Sequence, residues 1–120
     1  MRYRKQIVSL LAGQRHLRVE EIFNALKAEY ALLSMATVYR NVKQLEQGGE
    51  IWGFLHPDGS VRYEGVNDQA HQHLVCEQCG LITEVALGFI EDLYVSLKEK
   101  TNFHLHTHRL LMIGRCVNCQ

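Results

Sequence analysis

Apolar residues recur at helical spacing along the first half of the chain. They predict a first helix around residues 7–11, closed by Gly13, and a second helix between Val19 and Tyr30. A third helix is predicted to begin at Ser34, a favourable N-cap, and to end at Gly48–Gly49. Alternating apolar and polar positions follow this helix, and they predict strands.

Two short alternating runs, Glu50–Leu55 and Ser60–Glu64, flank the turn sequence His56–Pro57–Asp58–Gly59 and predict a β-hairpin. Three short helices followed by a hairpin are the order of elements in a winged helix-turn-helix. The next few residues are poor in apolar side chains, which is typical of a connector. We therefore predict a winged helix in residues 1–64 and a hinge in residues 65–69.

A second domain is predicted in residues 70–120, which makes the fold class α+β. His73–Cys76 and Leu81–Val85 alternate like paired strands, and Phe103–Arg115 fits a long final strand. A helix lies before that strand, marked by Phe89, Leu93 and Leu97. A domain of about 55 residues has a marginal core unless a metal or a partner chain stabilises it.

The composition is that of an ordinary folded protein, since 47% of the 120 residues are hydrophobic. The apolar runs are far shorter than the ~20 residues that span a bilayer, and no signal-peptide pattern opens the chain. We therefore expect a cytoplasmic protein with no membrane partner. Through Arg62 the chain has nine Lys/Arg and six Asp/Glu, and beyond it four and seven. The basic first half is compatible with a polyanionic partner.

The four cysteines form two C-x-x-C units, Cys76/Cys79 and Cys116/Cys119. Each unit can turn two thiolates toward one ion at about 2.3 Å, and two units complete a tetrahedron with no open position. This spacing predicts a structural zinc that joins the final strand to the strand before it. Disulfides are disfavoured in a reducing cytosol, and a thioredoxin-type redox pair lacks the surrounding βαβ unit.

Two histidines, His71 and His73, stand just before the first C-x-x-C unit and share one side of the predicted strand. Because the four sulfurs saturate zinc, these imidazoles are predicted to bind a second metal. Candidate completing ligands are Glu64, Glu84 and His16. Such a nitrogen and oxygen shell suits Fe(II), Mn(II), Co(II) or Zn(II). A pair of solvated strand histidines is the alternative. His104, His106 and His108, with Glu91, form either a further site or a solvated edge.

The third predicted helix buries Val38, Val42 and Leu45 and leaves a polar side outward. That side carries Thr37, Tyr39, Arg40, Asn41 and Lys43. Arg can fork to guanine, Tyr can contact bases, and Lys and Thr can hold phosphates, so these residue types suit a DNA groove. Arg62 on the hairpin, with His56 at its tip, is the predicted contact of the wing. A solvated helix face is the alternative.

Several of these motifs, in this order, resemble the ferric uptake regulator (Fur) family. The sequence Ser34-Met-Ala-Thr-Val-Tyr-Arg40, followed by Leu45 and Gly48, resembles its recognition helix. The order continues through Arg62-Tyr63-Glu64, His71-x-His73-Leu-Val-Cys76-x-x-Cys79-Gly80 and Gly114-x-Cys116-x-x-Cys119. The resemblance runs from about Arg2 to Cys119, nearly the whole chain.

The resemblance implies a dimeric, metal-dependent transcriptional repressor and not an enzyme. Its partners would be a second copy of the chain and double-stranded DNA containing an AT-rich palindrome. The C-terminal α/β domain would dimerise, the four cysteines would hold structural Zn(II), and Tyr39 and Arg40 would contact DNA. The regulatory ion would lie between the domains. Its ligand positions fall on His16, Glu64, His71, His73 and Glu84.

This sequence also departs from the family pattern. Family members usually begin with an additional helix and a basic segment, so weaker DNA binding is expected. A third metal site of the family commonly uses the two positions that are Ala70 and Gln72 in this chain. Because only its Glu91 and His108 positions remain, the site would be incomplete. Fe(II) is the first choice of regulatory ion, with Mn(II), Zn(II) or peroxide sensing as alternatives. Outside this function, the alternatives are a metalloenzyme and a zinc-stabilised interaction module that has lost DNA binding.

Overall fold

The computed structural model describes residues 2–12, 16–66, 72–86, 88–105 and 110–120. The chain divides into two compact units, here called the N-terminal unit, Met1–Asn67, and the C-terminal unit, Asp68–Gln120. Residues 67–69 of the predicted hinge lie outside the described residues, and the predicted domain bounds stay a prediction.

The N-terminal unit contains three helices and a β-hairpin, and so has the predicted winged-helix order. The elements are α1 Arg4–Leu10, α2 Val19–Lys27, α3 Met35–Gln47, β1 Ile51–Leu55 and β2 Val61–Gly65. The hydroxyl oxygen of Ser34 accepts a hydrogen bond from the Thr37 backbone N–H at 3.2 Å, which confirms the predicted N-cap of α3. Apolar side chains from all three helices meet the hairpin in one core, which includes Ile7, Leu11, Ile22, Val38, Val42, Leu45 and Ile51.

The hairpin pairs β1 and β2 antiparallel, from Ile51 opposite Gly65 to Leu55 opposite Val61. Leu17, which precedes α2, extends this pairing by an antiparallel bridge to Tyr63. Two backbone hydrogen bonds form the bridge: Leu17 N–H donates to Tyr63 O at 2.9 Å, and Tyr63 N–H donates to Leu17 O at 2.8 Å. The bridge fixes the start of α2 against the wing.

The C-terminal unit is a three-stranded sheet with one helix. Its elements are β3 Gln72–Cys76, β4 Ile82–Val85, α4 Ile90–Thr101, β5 Leu111–Gly114 and a short 3-10 turn, Val117–Cys119. The strand order is β4-β3-β5, with β3 antiparallel to β4 and parallel to β5. Within α4, Ile90 and Tyr94 are buried, whereas Leu93, Leu97 and the preceding residue Phe89 are exposed.

The prediction of one long final strand is wrong for the described residues. Helix α4 extends to Thr101, and Asn102 ends it in the left-handed region at φ 58°. Strand β5 covers only four residues because its partner β3 is short and is paired only from His73 to Cys76. The neighbour of β5 in the sheet is β3. No helix among the described residues has the length and apolar content needed to cross a membrane.

The N-cap of α3 provides a test of the local structure. We expect Ser34→Ala to lower the free energy of unfolding of the N-terminal unit by about 1 kcal/mol, because the Thr37 N–H loses its acceptor. Urea unfolding followed by the fluorescence of Trp52, the single tryptophan, measures this change. The control is Ser9→Ala at an exposed position of α1, for which a change within about 0.5 kcal/mol is expected. Equal effects of the two variants would contradict the capping role.

Candidate metal centres and helix surface

The four cysteines converge at one end of the sheet in the C-terminal unit. Because β3 and β5 run parallel, their carboxyl ends lie at the same edge, and Cys76 is opposite Gly114. Cys79 follows in the turn after β3, which Gly80 closes at φ 80°. The four cysteine sulfur atoms all lie within 4.8 Å of one another. The four-cysteine cluster predicted from spacing is therefore present.

The donor set fits zinc. In a tetrahedron with Zn–S bonds of about 2.3 Å, two sulfurs are about 3.8 Å apart, and the Cys79 and Cys116 sulfurs are separated by 3.7 Å. All four cysteines are free, since a disulfide would require about 2.05 Å. Four thiolates leave no open position for a substrate or water, so the site is structural. The cluster joins the ends of β3 and β5.

Backbone amides prepare one sulfur of this cluster for a cation. The N–H groups of Cys116 and Cys79 donate to the Cys76 sulfur at 3.5 and 3.4 Å, and they lower the pKa of that thiol to about 6. The neighbouring Cys116 thiol and burial raise the pKa of Cys119 to about 12. Zinc would provide the positive charge that stabilises four thiolates held this close together.

In the N-terminal unit, a histidine and a carboxylate meet across the bridge beside the wing. His16 precedes Leu17 and Glu64 follows Tyr63, so the antiparallel bridge places these two side chains directly opposite each other. Nε2 of His16 lies 3.1 Å from Oε2 of Glu64, and the two side chains are 11% and 2% exposed. The His16 ring also meets the edge of Phe54, with the centroids 6.0 Å apart.

The C-terminal unit contains a second pair of the same kind. His73 on β3 is directly opposite Glu84 on β4, and Nε2 of His73 lies 3.7 Å from Oε1 of Glu84. Their side chains are 0% and 9% exposed. His71, the predicted companion of His73, lies outside the described residues. Both pairs provide one imidazole and one carboxylate, a donor set that suits Fe(II), Mn(II) or Zn(II).

The incomplete third site predicted at Glu91 and His108 stays a prediction. Glu91 is exposed in the first turn of α4, and His108 lies outside the described residues, as does His106. His104 is exposed and does not lie on a strand. Gln72, where the family pattern expects a ligand, is fully buried, and its Oε1 accepts from the Leu110 N–H at 2.7 Å.

Helix α3 presents much of the predicted polar surface. Tyr39 is 52% exposed, Arg40 is exposed, and Thr37 and Lys43 are half-buried. The Nζ atom of Lys43 lies 5.5 Å from the centroid of the Tyr39 ring. The predicted outward position of Asn41 is wrong: its side chain is buried, and its Nδ2 donates to Thr37 O at 2.8 Å. Asn41 is three residues after Val38 and four before Leu45, which places it on the buried face.

Hydrogen bonds at the turn of the hairpin hold the Arg62 guanidinium in place. Arg62 donates from Nη2 to Oδ2 of Asp58 at 2.5 Å and from Nε to the Ser60 hydroxyl at 2.9 Å. Hydrogen bonds from Ser60 hold the pKa of Asp58 well below its usual range, and Arg62 adds to this effect. His56, placed at the tip of the wing from the sequence, is only 3% exposed, and its Nδ1 accepts from the Asp58 N–H.

Sequence reasoning missed a close contact between the hairpin and α3. Gly53 on β1 is opposite Tyr63 on β2. A Cβ added at Gly53 would lie 2.8 Å from Cε1 of Tyr63 and 2.7 Å from Oε2 of Glu46, so any side chain there would force these neighbours to move. The signal in the sequence was a glycine in the middle of a predicted strand, which often marks a close approach.

Comparison with known proteins decides the family. The profile of the ferric uptake regulator family matches residues 2–113. This chain belongs to the ferric uptake regulator family. The family and the winged-helix and zinc-bearing fold inferred from the sequence are therefore confirmed, and its members are metal-responsive transcription regulators.

Individual Fur-family relatives cover most of the chain. A ferric uptake regulation protein of Bordetella parapertussis is 34% identical over 106 residues, which are 88% of this chain and 76% of that protein. The peroxide-responsive repressor PerR of Staphylococcus aureus is 29% identical over 111 residues, 92% of this chain and 74% of that protein. The solved structure of the Helicobacter pylori regulator Fur, described as having three functional metal binding sites, matches with a TM-score of 0.83 at 30% identity. That match covers 100% of this chain and 81% of the H. pylori chain.

The cysteine cluster of this Fur-family chain predicts a stoichiometric zinc. We expect one zinc per purified chain and its loss in Cys116→Ser, because three thiolates and a hydroxyl bind zinc far more weakly. Elemental analysis measures the metal. Since zinc binding contributes directly to folding, the C-terminal unit should also lose its cooperative unfolding transition.

The matched control for the zinc experiment is Glu77→Ala, which removes an exposed carboxylate from the same turn and should retain one zinc. Trp52 reports separately on the N-terminal unit and should keep its transition in both variants. Retention of full zinc by Cys116→Ser would contradict the four-sulfur site.

Proposed function

We propose that this Fur-family chain is a homodimeric transcriptional repressor that binds an AT-rich palindromic operator when a divalent ion occupies its regulatory site. The observation that carries the proposal is the His16–Glu64 pair. It lies beside the wing of a winged helix, and its donor types match those of the His73–Glu84 pair. A metal ligand pair in the N-terminal unit gives an ion a direct effect on the DNA-binding elements.

The proposed regulatory ligands are His16 and Glu64 of the N-terminal unit together with His71, His73 and Glu84 of the C-terminal unit. The bound ion would supply the positive charge that holds two carboxylates and three imidazoles together. Each described His–carboxylate pair is already fixed by a strand pairing, which supports this assignment. We propose Fe(II), which agrees with the name of the B. parapertussis relative. Mn(II) or Zn(II) would suit the same donors, and the S. aureus relative makes peroxide sensing the nearest alternative.

Helix α3 is the proposed recognition helix. Tyr39 and Arg40 are exposed for contact with bases, Thr37 and Lys43 would contact phosphates, and Arg62 would contact the backbone from the wing. A dimer would present two such helices to one palindrome. Exposed apolar side chains on the C-terminal unit support a second copy as its partner: Leu74, Leu81, Met112, Ile113 and Val117.

The proposed mechanism is a shift of population. Without the ion, the two winged helices of a dimer would rarely adopt the spacing of two half-sites, whereas bound metal would favour that arrangement. A preference of a few kcal/mol is enough to change operator occupancy several-hundred-fold. The protein would act in the cytoplasm, whose reducing conditions keep the cysteines available for zinc. Neither the structural zinc nor the regulatory ion would act on a substrate, so we propose no enzymatic activity.

Anaerobic fluorescence anisotropy of a labelled AT-rich palindromic duplex tests this function. We expect saturable binding with Fe(II) that is lost on chelation, and only weak binding without the ion. His71→Ala should keep the fold and one zinc but lose the metal dependence, because the regulatory shell loses an imidazole. His104→Ala removes an exposed histidine of the same unit and should behave as wild type.

Two results would contradict this account. Metal dependence that survives in His71→Ala would exclude the assigned ligands. A folded wild-type chain with one zinc and no DNA binding under either condition would favour an interaction module instead.

The Arg62–Asp58 ion pair gives a separate prediction for the wing. Asp58 competes with phosphate for the Arg62 guanidinium and adds a negative charge at the turn. We expect Asp58→Asn to strengthen operator binding several-fold and to increase the dependence on salt by about one ion, because Arg62 is freed for a phosphate. The amide oxygen of Asn can still accept from the Ser60 N–H.

Anisotropy titrations between about 50 and 200 mM salt give both the affinity and the salt slope of this variant. Asp92→Asn changes the same charge on α4 of the C-terminal unit and controls for net charge. Weaker binding by Asp58→Asn, with an unchanged thermal midpoint, would show that the ion pair is needed in the DNA-bound wing.

A further inference from the structure

Tyr63 occupies the point where the proposed metal ligands and the recognition helix meet. Its backbone forms both hydrogen bonds of the bridge to Leu17. The residues next to this bridge, His16 and Glu64, form the 3.1 Å ligand pair. Because successive side chains on a strand point to opposite faces, Tyr63 and Glu64 face opposite sides of β2. The ligand pair and the Tyr63 backbone therefore share one antiparallel bridge.

The Tyr63 side chain lies between the hairpin and α3. Its ring crosses Gly53, and the same glycine accommodates the Glu46 carboxylate from α3. Tyr63 is only 2% exposed and belongs to the core cluster formed with Val42 and Leu45 of α3. The absence of a side chain at Gly53 thus allows the tyrosine and the helix to approach closely.

Lys43, a proposed phosphate contact, pairs with the Glu46 carboxylate, which meets the Tyr63 ring at Gly53. The Nζ atom of Lys43 is 3.7 Å from Oε1 of Glu46 and 5.5 Å from the Tyr39 ring centroid. Tyr63 and Glu46 raise the pKa of the Lys43 ammonium group. Glu46 therefore connects the Tyr63 ring to the ammonium group that lies over Tyr39 on the exposed side of α3.

We propose that Tyr63 is a positioning residue that couples the His16–Glu64 pair to Lys43 and Tyr39 on α3, so that metal binding orders the DNA-contacting side chains within one winged helix. This inference rests on the proposed function and adds to it a path of regulation inside the N-terminal unit. The bound ion would make the existing backbone bridge open less often, the bridge would hold the tyrosine in place, and the hydroxyl would orient the Lys43 ammonium group.

Tyr63→Phe tests the coupling, because it keeps the ring on Gly53 and removes only the hydroxyl. The quantity measured is the ratio of the operator dissociation constants without and with Mn(II), obtained by anisotropy on the full zinc-loaded chain. We expect this ratio to fall about tenfold, the size of effect expected when a hydrogen bond to a charged group is lost. The loss should appear mainly as weaker DNA binding by the Mn(II)-bound chain.

Three further variants separate coupling from stability. Tyr3→Phe makes the same change at another buried tyrosine of the core, whose ring meets Tyr30, and should keep the wild-type ratio. In Lys43→Gln, the additional change Tyr63→Phe should have little further effect, because Tyr63 acts through Lys43. Additive effects in the double variant would overturn this path.

The outcomes distinguish this inference from the proposed function. A wild-type ratio near one would overturn the proposed function and the coupling with it. A large wild-type ratio that Tyr63→Phe leaves unchanged would overturn only the coupling. Equal weakening of DNA binding with and without Mn(II) would assign Tyr63 a purely structural role and would also overturn it.

Discussion

The antiparallel bridge between Leu17 and Tyr63 is the constraint on which the DNA-binding unit most depends. Two backbone hydrogen bonds set the position of the segment before α2 against β2, with no contribution from side-chain chemistry. The same register places His16 opposite Glu64 and turns Tyr63 toward α3. Backbone pairing can hold the two proposed ligands in a defined geometry even when no cation is bound, and this would reduce the entropy lost on metal binding.

The C-terminal unit uses strand pairing in the same way. His73 and Glu84 are opposite each other in the β3–β4 ladder, while the parallel β3–β5 pair brings the two cysteine units to one edge. The unit is small, and its sheet leaves several apolar side chains exposed. Structural zinc contributes about 10–16 kcal/mol in small domains, which is comparable to the whole stability of a typical protein. The cysteine cluster is therefore a principal source of stability for this unit.

The sequence predicted the features that depend on local spacing. The C-x-x-C units brought four sulfurs together, Ser34 caps α3, and the turn at Pro57–Asp58–Gly59 closes the hairpin. Features that depend on which distant residue or strand an element packs against were harder to predict. The final strand was predicted too long because its length is limited by β3, which periodicity cannot reveal.

The positions of some individual side chains were mispredicted for the same reason. Asn41 was placed outward because it is polar, but its helical position is on the buried face, where its amide donates to Thr37. His56 lies beside an exposed turn and is nevertheless buried against the Asp58 backbone. The proposed role of Tyr63 depends on Gly53, Glu46 and Leu17. These three residues are far from Tyr63 in the sequence, so the role could be inferred only from the folded structure.

Hydrogen–deuterium exchange of the Leu17 and Tyr63 amides, measured by NMR with and without Mn(II), tests most directly whether the ion acts on the DNA-binding unit. If His16 and Glu64 bind the ion, hydrogen exchange at both amides should slow when Mn(II) is bound. Where paramagnetic Mn(II) broadens the amide signals, the same measurement is made with a diamagnetic ion such as Zn(II). The slowing should disappear in His16→Ala. Protection confined to residues 72–85 would contradict the account, because the ion would then bind without engaging the winged helix.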